Sequence, residues 1–166
     1  MLVLGRTPNY LAKTRKSMLI YLDLCCFNRP FDDQGQLVVR LQTEAKLHVQ
    51  QAIQHGDMSL AWSAMMDLEN NTNPDYDRRT AISRWKAVAS VDVDTSPDVE
   101  TVAEELVRVS IKPMDALHVA SAIKAGAAWF LTTDKALLRK LKNDQRIQVT
   151  DPVDFIRATL EGRNEN

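Results

Sequence analysis

The chain is poor in glycine, with Gly5, Gly35, Gly56, Gly126 and Gly162 the only five in 166 residues. Neither a G-x-G-x-x-G dinucleotide fingerprint nor a phosphate-cradling P-loop can be written from them. Cysteine is scarcer still. Cys25 and Cys26 are adjacent, too close for an ordinary disulfide and without the separated pairs of a zinc site, which fits a reducing, cytoplasmic setting. No run approaches the roughly 18 apolar residues of a membrane span, and residues 1–17 lack the apolar stretch of a secretory signal. A one-signed charge excess is missing too. The formal net charge is -1, so any contact with nucleic acid must come from a local basic patch rather than the whole surface.

What is present is 45% hydrophobic residues, enough for one sizeable core, and nothing that reads as a linker between two. Residues 1–17 carry Arg6, Lys13, Arg15 and Lys16 without periodicity and read as a flexible N-terminal extension. Residues 18–160 read as the single domain, and 161–166 as a short C-terminal tail. Within the domain, Met18–Leu22 suits a fully buried strand entering Asp23. After a loop turned by Pro30 and Gly35, apolar residues from Leu37 to Ile53 recur at helical spacing until Gly56. Ser59 to Trp62 reads as a second strand, followed by a short helix over Ala64 to Glu69 and another from Pro74 to about Ala89. Val91 to Val93 is a weak third strand. Ser96 before Pro97 caps a helix to about Val109, and Pro113 opens an alanine-rich helix that Gly126 ends. Trp129 to Leu131 and Ile147 to Val149 read as strands around a short basic helix, and Pro152 starts a closing helix. Strands alternating with helices predict an α/β fold with a central parallel sheet, whose ligands bind beyond the carboxyl ends of the strands.

Four acids fall at such places. Asp23 and Asp134 follow apolar strands, Glu69 lies on the short helix after the second strand, and Asp115 sits in the first turn of the alanine-rich helix. Gathered together they would repel one another unless a hard divalent cation took up the charge, which points to Mg2+ or Mn2+. Such an ion supports in-line attack of water on a phosphodiester. The bland readings are that Asp134 merely caps the helix behind it and that Asp115 serves its own helix dipole. Asp23 is harder to set aside, since a carboxylate ending a buried strand has no basic partner nearby in sequence. A phosphatase of the haloacid dehalogenase type would need a second Asp where Cys25 stands. Ser63, His118, Thr132 and Thr133 are candidates to orient ligands, with Thr133 favoured because it adjoins Asp134. His118 reads as a packed helix residue hydrogen-bonded locally. Asn28 and Arg29, and the basic face of Lys135, Arg139 and Lys142, are candidates for gripping phosphates, with a solvated surface as the plain alternative. Trp62, Trp85 and Trp129 read as core.

Three segments, IYLDLCCFNRPFDDQ from Ile20, WSAMMDLEN from Trp62 and KPMDALHVASAIKAGAAWFLTTDKALLRK from Lys112, resemble the acidic motifs of the PIN-domain nucleases, which include the VapC ribonuclease toxins. The resemblance spans about Met18 to Ile156 and looks like a less studied branch. It implies a three-layer α/β/α fold, Asp23, Glu69, Asp115 and Asp134 as ligands of Mg2+ or Mn2+, and single-stranded RNA as substrate. It implies further a homodimer restrained by a small antitoxin protein. Asp67 competes with Glu69 for the second position; the two lie about 200° apart on a helix and cannot face one ion, and the distance after Ser63 selects Glu69. A catalytically silent PIN-like module that binds RNA or protein is the rival expectation.

Overall fold

The structure is a computed structural model that describes residues 17–161. The expected extension at 1–17, apart from Ser17, and the expected tail at 161–166, apart from Glu161, lie outside the described residues. Strand β1, Met18–Leu22, is flanked on both sides by parallel partners, and its last three residues are buried almost completely. That explains why MLIYL is apolar without alternation: both faces of the strand meet helices. The other strands are β2 (Met58–Ser63), β3 (Val91–Val93), β4 (Trp129–Leu131) and β5 (Gln148–Thr150). All pair in parallel, in the order β3-β2-β1-β4-β5.

The helices are α1 (Leu24–Asn28), α2 (Leu37–Gln54), α3 (Ala64–Asn71), α4 (Tyr76–Ser83), α5 (Pro97–Arg108), α6 (Pro113–Ala125), α7 (Lys135–Lys140) and α8 (Pro152–Glu161). Helix α2 packs against β2 and α8 on one side, whereas α6 packs against β2, β3 and α5 on the other, giving the three layers the sequence predicts. Ala116, Ala120 and Ala122 are fully buried on α6, so its backbone approaches the sheet closely. Gly126, in the left-handed conformation at φ 77, ends that helix as its C-cap. Ser96 Oγ accepts from Val99 N and starts α5 as expected.

Three local readings differ. The residues after Asp23 form the five-residue helix α1 and a 3-10 turn over Arg29–Phe31 instead of a loop, because the Asp23 side chain accepts from Leu24 N and starts a helical turn at once. The helix expected from Pro74 to Ala89 begins at Tyr76, capped by Asp75, and tightens into a 3-10 segment over Arg84–Val88. The last strand is shifted by one residue: Ile147 is buried, but ladder pairing begins at Gln148 opposite Trp129.

The strand order reverses at β1, since the chain moves from β1 to β2 on one side and returns past it to β4 on the other. A crevice beyond the carboxyl ends of β1 and β4 is where such a sheet binds ligands.

Candidate active site

Asp23 leaves β1 at this crevice, and its backbone N donates to Leu131 O at 2.9 Å, which ties the ends of β1 and β4 together. Its side chain is 7% exposed with both oxygens engaged. Oδ1 accepts from Leu24 N at 2.8 Å, and Oδ2 accepts from Thr132 Oγ1 at 2.8 Å and from Cys25 Sγ at 3.4 Å. Thr132 also accepts from Asp134 N at 3.2 Å, so one buried hydroxyl joins the acid after β1 to the acid after β4. The sequence favoured Thr133 for this place. No hydrogen bond involves its side chain among the described residues, and only its backbone N reaches Cys25 Sγ at 3.3 Å. Both threonines lie just past the end of β4 and both are buried, but it is the Thr132 hydroxyl that faces Asp23.

Glu69 projects from α3 toward α6. Its Oε2 lies 2.8 Å from His118 Nε2, and His118 Nδ1 lies 2.7 Å from Tyr21 Oη, which is 2.7 Å from Ser63 Oγ. His118, Tyr21 and Ser63 are almost wholly buried. With a neutral imidazole, Ser63 donates to Tyr21, Tyr21 to Nδ1 and Nε2–H to Glu69; with an imidazolium, Nδ1–H donates to Tyr21 and Tyr21 to Ser63, so the chain of contacts is satisfied in either state. Ser63 Oγ also accepts from Met66 N as the cap of α3. Burial pushes the Tyr21 phenol up, so it stays a neutral donor. His118 is packed as expected, but its partners are 49 and 97 residues away in sequence. The expectation of local bonding fails because α6 crosses over the sheet and carries the ring to β1 and α3.

Asp67 is turned elsewhere. Its Oδ1 accepts from Trp62 Nε1 at 2.9 Å and its Oδ2 from Lys86 Nζ at 2.7 Å, so both oxygens are committed away from the other acids.

Asp115 and Asp134 line one small cavity of about 30 Å³ between α6 and α7, with Lys112 and Lys140 at its rim. Asp134 Oδ1 caps α7, accepting from Ala136 N at 2.9 Å and Leu137 N at 3.0 Å. The capping role weighed from the sequence is thus present, and it occupies one of the two oxygens. The carboxyl of Asp115 is held above the usual carboxylate range by burial first, then by repulsion from Asp23 and Asp134, eased by His118 and reinforced by Glu69. Asp23 is raised likewise, by burial and by Glu69, against the pull of His118, Thr132 and Cys25. Asp23 and Asp115 are thus both disfavoured as charges by burial and by neighbouring acids. The donor chemistry, carboxylate oxygens with no Lys or Arg ion pair to any of the four among the described residues, is that of a hard divalent cation site. Among the described residues, however, no group of three or more His, Cys, Asp or Glu side chains stands close enough to hold an ion directly.

Of the residues considered for phosphate contact, Arg29 is already used, with Nε donating to Gln42 and Nη1 paired with Asp32 at 2.9 Å. The Asn28 Oδ1 is buried without a partner. Lys135 and Arg139 are exposed on α7, one and five residues past Asp134.

A family model described as "PIN domain" matches residues 20–143. The chain belongs to the PIN-domain family. Its match covers all four acids and every strand but β5 and the start of β1. Among solved structures, the VapBC2 complex from Rickettsia felis bound to a DNA fragment from their promoter is similar with a TM-score of 0.51 at 12% identity, over 81% of this chain and 98% of that one. At that identity the likeness is one of fold. No curated protein matches. PIN domains are generally nucleases, and among the described residues no helix is long and apolar enough to cross a membrane.

Two positions that organise the PIN-domain site were not singled out from sequence. Tyr21 carried a signal: it is the only polar-tipped side chain in MLIYL, two residues before Asp23 and on the same strand face, and a buried tyrosine needs a partner. Cys25, weighed from sequence only against a disulfide and a zinc site, contacts Asp23, Thr132 and the Thr133 amide.

Proposed function

We propose that this PIN domain is a Mg2+- or Mn2+-dependent endoribonuclease that cleaves single-stranded RNA, and that it acts as the toxin of a toxin and antitoxin pair. The observation that supports the reading is the environment of Asp23 and Asp115, whose carboxyls are both held above the usual range by burial and by neighbouring acids, in a parallel sheet whose strand order reverses at β1. Asp23, Glu69, Asp115 and Asp134 would hold the ion. A cation that keeps several of its own waters, as Mg2+ does, needs only a few direct carboxylate ligands. Bound there, it would neutralise the scissile phosphate and lower the pKa of the attacking water.

The chain's own residues do the rest. Thr132 fixes Asp23, and the Ser63, Tyr21 and His118 chain fixes Glu69, so neither carboxylate must be ordered when substrate arrives. Lys135 and Arg139 are free to meet phosphates on the α7 side. Arg29 would reach them only by leaving Asp32, and Asn28 only by turning its buried amide outward. The likeness to VapBC2 supports a small antitoxin protein as partner, and the family resemblance supports a homodimer.

The test is a single-stranded RNA oligonucleotide incubated after EDTA treatment, with Mn2+ or Mg2+ restored and single-stranded DNA offered in parallel. Cleavage that returns with metal, on RNA in preference to DNA, is expected, together with Mn2+ binding by calorimetry. Cleavage indifferent to EDTA would sink the metal role. Binding of RNA without cleavage under any metal would establish the second reading, a catalytically silent RNA- or protein-binding module, which the wide spacing of the acids favours.

The same assay separates the two acids of α3. Glu69→Gln should lower cleavage by roughly 100-fold or more, whereas Asp67→Asn should stay within about threefold and instead cost about 1 kcal/mol of stability through its Trp62 and Lys86 contacts.

A further inference from the structure

A second cavity, of about 170 Å³, opens between α1, α2, α4 and the 3-10 segment that follows α4, and shares no lining residue with the four acids. Phe27, Phe31, Ile82 and Trp85 form its walls, and Lys46 and Gln50, one turn apart on α2, supply its polar atoms. Both are unusual for an interior. Lys46 is 4% exposed and has no ion-pair partner among the described residues; its Nζ lies over the Phe27 ring, 5.1 Å from the centroid. Gln50 is 6% exposed, and its Nε2 is buried with no hydrogen-bond partner. No acidic residue lines the cavity.

A buried ammonium without a counter-charge and a buried amide donor without an acceptor each cost free energy. Burial holds the Lys46 ammonium down to about 8, so it is still mostly protonated at neutral pH. Both deficits point to a ligand carrying negative charge and at least two acceptor oxygens. The aromatic walls ask for an apolar body, and the volume, below the roughly 300 Å³ of ordinary ligand pockets, asks for a small one. Inorganic phosphate would answer the charge but leave the aromatic walls against water.

We propose that this cavity binds a small organic carboxylate, whose oxygens accept from Lys46 Nζ and Gln50 Nε2 while its apolar body lies against Phe27, Phe31 and Trp85. The site does not depend on the nuclease reading, since Asp23 does not line the cavity, and Asp23→Asn is expected to bind the carboxylate as wild type does.

Titration of the full chain with sodium benzoate, followed by calorimetry and by the rate at which trinitrobenzenesulfonate modifies Lys46, tests it. Benzoate is expected to bind one site, to slow Lys46 modification at least fivefold, and to bind at least tenfold more tightly than neutral benzamide. Lys46→Met should weaken benzoate at least tenfold and Gln50→Leu at least threefold, with circular dichroism unchanged. Absence of saturable benzoate binding, equal affinity for benzamide, tighter binding of inorganic phosphate, or wild-type affinity in Lys46→Met would each overturn the proposal. Should Lys46→Met fail to fold, protection of Lys46 in the wild-type chain decides alone.

Discussion

Asp23→Asn should reduce RNA cleavage by about a thousandfold or more while the chain folds as before. Asparagine has the shape of aspartate, so its carbonyl oxygen still accepts from Leu24 N, and its amide can donate to Thr132 Oγ1, which now acts as acceptor. What disappears is the charge. In the metal-free chain that charge is a burden, because burial and Glu69 both disfavour it. Without metal, then, the variant should melt no lower than wild type, whereas the stabilisation that Mn2+ gives the wild type should be largely gone. Single-turnover cleavage, Mn2+ calorimetry and thermal melts with and without the ion check all three. A variant that keeps its activity would show that Asp23 is only the cap of α1.

Lys46→Met should stabilise the protein by about 2 kcal/mol at neutral pH, or roughly 4 to 8 °C in melting temperature. The ammonium titrates at about 8 in the folded chain against 10.5 in the open, with desolvation as the main cause. At roughly 1.4 kcal/mol per pH unit the charge costs the fold on the order of 3 kcal/mol, from which the contact with Phe27 lost on substitution is subtracted. The dependence on pH has a definite sign. Below about 8 both folded and unfolded chains carry the proton and the full cost is present. Between about 8 and 10.5 only the unfolded chain holds it, so wild-type stability rises with pH and the variant's advantage shrinks. The neighbouring Cys26 thiol is pushed well up by burial and stays neutral where Lys46 begins to titrate. Chemical denaturation of both proteins at pH 7 and pH 10 reads the gap and its closing. An equal gap at both would mean that the gain comes from packing alone.

The layered architecture was legible because its signals are long or chemically specific: the doubly buried MLIYL, the capped start at Ser96 and the alanine-rich stretch ended by Gly126. Short elements were not. Helix α1 is five residues long and apolar, so periodicity cannot separate it from a continuing strand, and only the Asp23 cap decides. The 3-10 tightening over Arg84–Val88 also left no local mark, since nothing in RWKAV forbids an α-helix. At the site, the acids were proposed from their position relative to strands, and Glu69 over Asp67 from its distance after Ser63. Their supports could not be chosen that way. Which of Thr132 and Thr133 faces Asp23 depends on the register of β4 beside β1, and the partners of His118 depend on how α6 crosses the sheet. Adjacency along the chain, the criterion that favoured Thr133, is a poor guide to such pairings.

The bridge from Ser63 through Tyr21 and His118 to Glu69 draws on β2, β1, α6 and α3, and Asp115 and Asp134 arrive only with α6 and α7. Order of synthesis thus becomes a safeguard. A nascent polypeptide whose exposed portion stops short of residue 134 lacks at least one of the four acids, so on the proposed function the ribosome making this chain would not meet a finished cutting site until about four fifths of it had emerged.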